Sequence, residues 1–125
     1  MKRVLLAEDN PMNRELIRDM LEAGGFEVIE TSNGEEALRS LRETPPDLVL
    51  LDVQMPRLDG YAVLRHLRQE LRLGNLPVIA LTAYAMRGDR EKALAAGFDA
   101  YVSKPIDFLQ LRAEIERLCS HRSQP

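Results

Sequence analysis

This sequence predicts an α/β fold built on a parallel sheet. The prediction rests on five short apolar runs, on segments of helical spacing that separate them, and on a length of 125 residues, about one domain. A strand, helix, strand order repeated along the chain covers both faces of a sheet, because each crossover returns the chain to the same edge.

The elements follow in order. Val4–Ala7, cut off by Glu8 and Asp9, reads as the first strand. Asn10-Pro11 supplies an N-cap and a proline at N1 for a helix whose stripe is Leu16, Ile17, Met20 and Leu21, and Gly24-Gly25 closes it. Val28–Ile29 is the second strand. Ser32-Asn33-Gly34 opens the second helix, with Glu35 and Glu36 in its first turn, where the helix dipole favours negative charge, and Ala37, Leu38 and Leu41 on its apolar side. Asn33-Gly34 is also a hairpin signal, but no strand follows it. Leu48–Leu51 is the third strand, and Asp59 caps a third helix carrying Val63, Leu64, Leu67 and Leu71. Val78–Leu81 is the fourth strand, and a helix near Arg87 to Ala96 stops at Gly97. Ala100–Val102 is the fifth strand, and the last helix runs from about Asp107 to Cys119 on Leu111, Ile115 and Leu118. Residues 1–125 form one domain with a frayed tail at about 120–125.

Composition excludes several classes. Cys119 is the one cysteine, so an intrachain disulfide and a multi-cysteine metal site are ruled out and a reducing, cytoplasmic compartment is expected. No apolar run exceeds about four residues, against the roughly 20 of a membrane helix, and Val4–Ala7 is too short for a signal peptide. The net charge of −3 is spread along the chain, so no direct nucleic-acid partner is expected.

Four of the apolar runs end in residues able to do chemistry: Glu8-Asp9, Asp52, Thr82 and Lys104. Singly, each has a plain reading as a cap, a strand residue or a surface charge. A parallel sheet brings its strand ends to one edge, where ligands of such folds sit. Three carboxylates facing one ammonium leave the crevice negative, and an all-oxygen donor set suits a hard divalent cation, Mg²⁺. With the cation in place a phosphoryl group becomes tolerable, with Lys104 and Thr82 on its oxygens and the Asp52 carboxylate as nucleophile.

These residues carry a resemblance. Val-Leu-Leu-Ala-Glu-Asp-Asn, Leu-Val-Leu-Leu-Asp-Val-Gln-Met-Pro-Arg-Leu-Asp-Gly, Ala-Leu-Thr-Ala and Tyr-Val-Ser-Lys-Pro, in this order over essentially the whole chain, resemble the response-regulator receiver domains of two-component signalling. The resemblance implies a flavodoxin-like, doubly wound five-stranded sheet of order 2-1-3-4-5 with five helices. It makes Asp52 the phosphoacceptor from a histidine kinase or histidine phosphotransfer protein. It assigns Mg²⁺ to Glu8, Asp9, Asp52 and the backbone carbonyl of Gln54. Thr82 and Lys104 read the phosphoryl oxygens, Tyr101 changes rotamer with them, Gln54 and Tyr84 tune the phosphorylated lifetime, and the Lys104-Pro105 bond is cis. Glu8 stands where many relatives carry Asp. Output then passes to a downstream protein from a monomer or weak dimer, with no membrane contact.

Other readings remain beside it. A turnover phosphatase would place an acid where Gln54 stands, so a slowly self-dephosphorylating switch is expected rather than an enzyme. A flavin-mononucleotide binder would bring phosphate to a crevice already acidic after strand one. A pseudo-receiver that only binds partners would not need every chemistry-bearing position filled. A receiver cut from a hybrid histidine kinase is the further alternative. His66, between Arg65 and Arg68, and Arg65, Arg68 and Arg72 on one helix side read as solvated, and Cys119 as packing.

Overall fold

The computed structural model describes residues 2–83 and 88–123, with side chains described to 119. Five strands, β1 (Arg3–Ala7), β2 (Glu27–Thr31), β3 (Leu48–Asp52), β4 (Val78–Thr82) and β5 (Ala100–Ser103), pair in parallel in the order β2-β1-β3-β4-β5. The helices are α1 (Pro11–Ala23), α2 (Gly34–Glu43), α3 (Gly60–Arg65), α4 (Asp89–Ala96) and α5 (Phe108–Ser123). The expected fold class and strand order are those observed. The α5 backbone runs past Cys119, while the side chains of the expected tail at 120–125 lie outside the described residues, as does Tyr84.

Strand pleating explains why the central strands are apolar throughout. Leu5, Ala7, Val49, Leu51, Val78 and Ala80 enter one core with Ala37, Leu41, Leu64, Leu67 and Ala93 of the helical layer. Val4, Leu6, Leu48, Leu50, Ile79 and Leu81 enter the other with Ile17, Leu21, Leu111 and Ile115. Alternate side chains leave opposite faces, so a strand covered twice needs apolar residues at every position.

Local chemistry sets the helix starts. Asn10, Asn33 and Asp59 each accept, at their side-chain oxygen, the amide three residues on. At α2, Glu36 Oε1 also accepts the Ser32 amide at 2.9 Å, which closes the cap from both sides. Gly34 packs directly on the loop after β3: a Cβ there would collide with the Leu58 carbonyl oxygen. After α1 the left-handed residue is Gly25 at φ +90, not Gly24 at φ −85.

Two departures from expectation occur together after α3. The expected single helix ends at Arg65 and continues as a π-helical segment, His66–Glu70, in which Leu71 N–H donates to His66 O at 3.0 Å. In this wider turn Leu67 is fully buried and Arg68 is not solvated. Its guanidinium, 19% exposed, donates to the carbonyls of Leu73 at 2.8 Å, Leu76 at 2.7 Å and Gly97 at 3.1 Å, and to Asp99 Oδ2 at 3.1 Å. Asp99 Oδ2 also accepts Val78 N–H at 2.8 Å, so one arginine ties the entry of β4 to the end of α4 and the start of β5. His66 Nδ1 lies 2.9 Å from Glu70 Oε1 without making a hydrogen bond.

Replacing Arg68 with Leu strips donors from several partly buried carbonyls, and is expected to lower stability by about 3 kcal/mol. Urea unfolding with an unchanged m-value checks this. A change below about 1 kcal/mol would return Arg68 to the solvated class.

Candidate functional site

Strand register brings the predicted residues together. Ala7 pairs with Leu51, Asp52 with Leu81 and Thr82 with Ser103, so Glu8, Asp52, Thr82 and Lys104 fall on successive strand ends at one edge of the sheet. The backbone extends this order past the ladders: Val53 N–H donates to Leu81 O at 2.9 Å and Lys104 N–H to Thr82 O at 2.7 Å. Gly60 permits α3 to begin against the same strand end, since a Cβ there would lie 2.6 Å from the Asp52 carbonyl oxygen.

Three carboxylates meet there. One oxygen each from Glu8, Asp9 and Asp52 lies within 4.8 Å of the others. Glu8 is 0% and Asp52 2% exposed, while Asp9 stands on the exposed rim. Lys104 spans the two buried acids, its Nζ 2.6 Å from Glu8 Oε1 and 2.8 Å from Asp52 Oδ2. The contact with Glu8 lies off the hydrogen-bonding direction and leaves Oε1, a buried acceptor, without a hydrogen bond. Asp52 Oδ1 accepts Gln54 N–H at 2.9 Å. The Lys104-Pro105 peptide is cis.

The burial of Asp52 means that its oxygens do not open freely to solvent. The Lys104 ammonium lies 2.8 Å from Oδ2, with 14% of its own side chain exposed.

Burial also moves the titrations. Desolvation pushes Glu8 from 4.5 up to about 7; the Lys104 contact and the Asn10 amide pull the other way, and neighbouring Asp52 adds to the rise. Burial pulls Lys104 down, but its contacts with the Asp52 and Glu8 carboxylates outweigh it and the net direction is up, so it remains an ammonium. Tyr101, half-buried beside the edge, is raised chiefly by desolvation, with a side-chain hydrogen bond to Thr82 opposing. That bond joins two of the predicted residues.

One residue at the site escapes notice in the sequence. Arg14, on the second turn of α1, donates from Nη1 to the backbone carbonyl of Glu8 at 2.9 Å. Its only local signal is a position soon after the Asn10 cap, which brings a long side chain back toward the strand that precedes the helix.

The arrangement offers a buried carboxylate, an ammonium, a hydroxyl and an all-oxygen donor cluster, groups suited to phosphoryl transfer. Comparison with known proteins agrees. Residues 4–116 match the family model described as the response regulator receiver domain. The chain is 49% identical over 105 residues to the polar-differentiation response regulator DivK of Brucella anthropi, covering 84% of this chain and 85% of that protein. It superposes with TM-score 0.90 on the signal receiver domain of a histidine kinase from Syntrophus aciditrophicus, at 35% identity, covering 100% of this chain and 95% of that one. It also superposes with TM-score 0.85 on the receiver domain of sensor histidine kinase PA1611 from Pseudomonas aeruginosa, at 38% identity, covering 95% and 98%; that structure has a magnesium ion coordinated in its active site cleft.

A carboxyl group raised by folding holds its proton more tightly in the native state than in the unfolded chain. Its contribution to stability is therefore full below pH 4.5 and declines as pH rises toward about 7. In EDTA, Glu8→Gln is expected to gain stability relative to the wild type across this window, by an amount on the order of 2 kcal/mol. Denaturant unfolding at the two ends of the window checks the sign; a parallel pH dependence for both proteins contradicts it.

Proposed function

Because this chain belongs to the response regulator receiver family, we propose that it is a phosphorylation switch in which Asp52 accepts a phosphoryl group from a phosphohistidine. The donor is a histidine kinase or a histidine phosphotransfer protein. The observation that carries the reading is the meeting of Asp52 with Lys104 at 2.8 Å inside a cluster completed by Glu8 and Asp9.

The residues fit Mg²⁺. The donors are hard oxygens, one of them the buried Glu8 Oε1 without a hydrogen bond, and Glu8, Asp9, Asp52 and the Gln54 carbonyl would hold the ion. When bound, Mg²⁺ offsets the carboxylate charge and spreads that of the transferring oxygens. An Asp52 oxygen attacks phosphorus, the phosphorus-oxygen bond forms as the phosphorus-nitrogen bond breaks, and the imidazole leaves with the electron pair. The Lys104 ammonium moves from Asp52 Oδ2 to the phosphoryl oxygens, uncovering the nucleophile and stabilising the product in one displacement. Thr82 turns its hydroxyl to the same oxygens.

The hydrogen bond between Thr82 and Tyr101 supplies the route outward. Drawing Thr82 to the phosphoryl group removes a partner of Tyr101, whose ring then shifts between two arrangements of the β5 and α4 face and alters what that face binds. Gln54, in place of an acid, gives no general base for hydrolysis, so the acyl phosphate decays slowly and the protein signals rather than turns over substrate. No described helix is long and apolar enough to cross a membrane, and the switch works in the cytoplasm by protein contact. A second reading, a receiver that forms part of a histidine kinase, is favoured by the likeness to two such receivers.

Intact-mass spectrometry after incubation with acetyl phosphate and Mg²⁺ is the test. One phosphoryl adduct is expected on the wild type, none on Asp52→Asn, and little in EDTA. An equal adduct on Asp52→Asn, or none on the wild type, overturns the assignment.

A further inference from the structure

Asp9 is the exposed member of the carboxylate cluster and is joined to the buried Glu8 by one peptide. That peptide lies beyond the ladder, since the last register pairs of β1 are Ala7 with Thr31 and Ala7 with Leu51. The Glu8 amide still reaches the sheet, donating to Thr31 O at 3.1 Å. Its carbonyl is met instead by Arg14 Nη1 at 2.9 Å. Arg14 is held in turn, with its backbone amide on Asn10 O at 2.9 Å and Nε 3.7 Å from Glu30 Oε1 at the end of β2. One guanidinium therefore spans α1, the β1 exit and β2.

We propose that Arg14 is a positioning residue for the metal site, fixing the plane of the Glu8–Asp9 peptide so that the Asp9 carboxylate stays beside those of Glu8 and Asp52. The inference rests on the receiver reading above. Without this donor, the peptide turns about the bonds on either side of it and carries the Asp9 side chain off the cluster, while Glu8 and Asp52 remain held by burial and by Lys104. A lysine at this position is a single-point donor and reaches the carbonyl or Glu30, but not both with the geometry of the planar fork. Groups that orient metal ligands are typically worth about 10- to 100-fold in affinity.

The test is Mg²⁺ titration with no phosphoryl donor present, followed by calorimetry and by the amide NMR shifts of residues 8, 9 and 52. Arg14→Met keeps the aliphatic stem and is expected to weaken Mg²⁺ by about tenfold, with Arg14→Lys between it and the wild type. Glu30→Gln, which weakens the tether of Arg14 together with a contact to Arg18, is expected to weaken binding by less, and the amide of Asp9 to exchange faster in all three variants. A purely structural arginine would lower the melting temperature and leave Mg²⁺ affinity alone. Arg14→Met that folds and binds Mg²⁺ within about twofold of the wild type overturns the inference and leaves the receiver reading standing. Should Arg14→Met fail to fold, wild-type affinity in both Arg14→Lys and Glu30→Gln overturns it equally. A wild type that binds no Mg²⁺ overturns the receiver reading, and this inference with it.

Discussion

Two carboxylates share a space that water scarcely enters, and one ammonium makes this possible. Glu8 and Asp52 are buried at the edge of the sheet, and Lys104 reaches both. Without a cation, two ionised acids at this separation would repel and one would take up a proton, which is the direction in which Glu8 is already pushed. The site thus holds its ammonium through charge.

The rest of the fold serves to hold this conflict in place. Helices on both faces bury the strands and so leave strand ends as the one part of the sheet where polar chains can gather. Gly60 sets α3 hard against the backbone of Asp52, and Gly34 seats α2 on the Leu58 loop, so the segment after β3 is gripped from two sides. Far from the site, Arg68 fastens the opposite end of the sheet through the Leu73, Leu76 and Gly97 carbonyls. One end of the sheet is closed by satisfied hydrogen bonds, and the other gathers three carboxylates around one ammonium.

Function in the receiver family depends on that asymmetry. A switch must move at low cost near the phosphoacceptor and resist movement elsewhere. In the proposed switch only single side chains, Lys104 and the Thr82–Tyr101 pair, change partners. The Arg68 clamp and the two apolar layers supply the resistant part.

Much of this was legible in the residues themselves. The apolar runs placed every strand, the Asn10, Asn33 and Asp59 caps placed three helix starts, and the acids and lysine at the strand ends marked the crevice, because each depends on periodicity or on chemistry within a turn of itself. Arg14 and Arg68 were not legible. Each satisfies backbone carbonyls, which exist at every position and carry no residue code, so nothing along the chain says which carbonyl an arginine will meet. The π-helical turn at His66–Glu70 escaped for the same reason, since a helical stripe looks alike whether its turns are tight or wide. Sequence alone determined which groups would converge, through strand order and side-chain type. Tertiary structure alone decided how deeply Asp52 is covered and which arginine steadies its neighbours, because burial and long-range donor geometry arise only once separate elements have packed together.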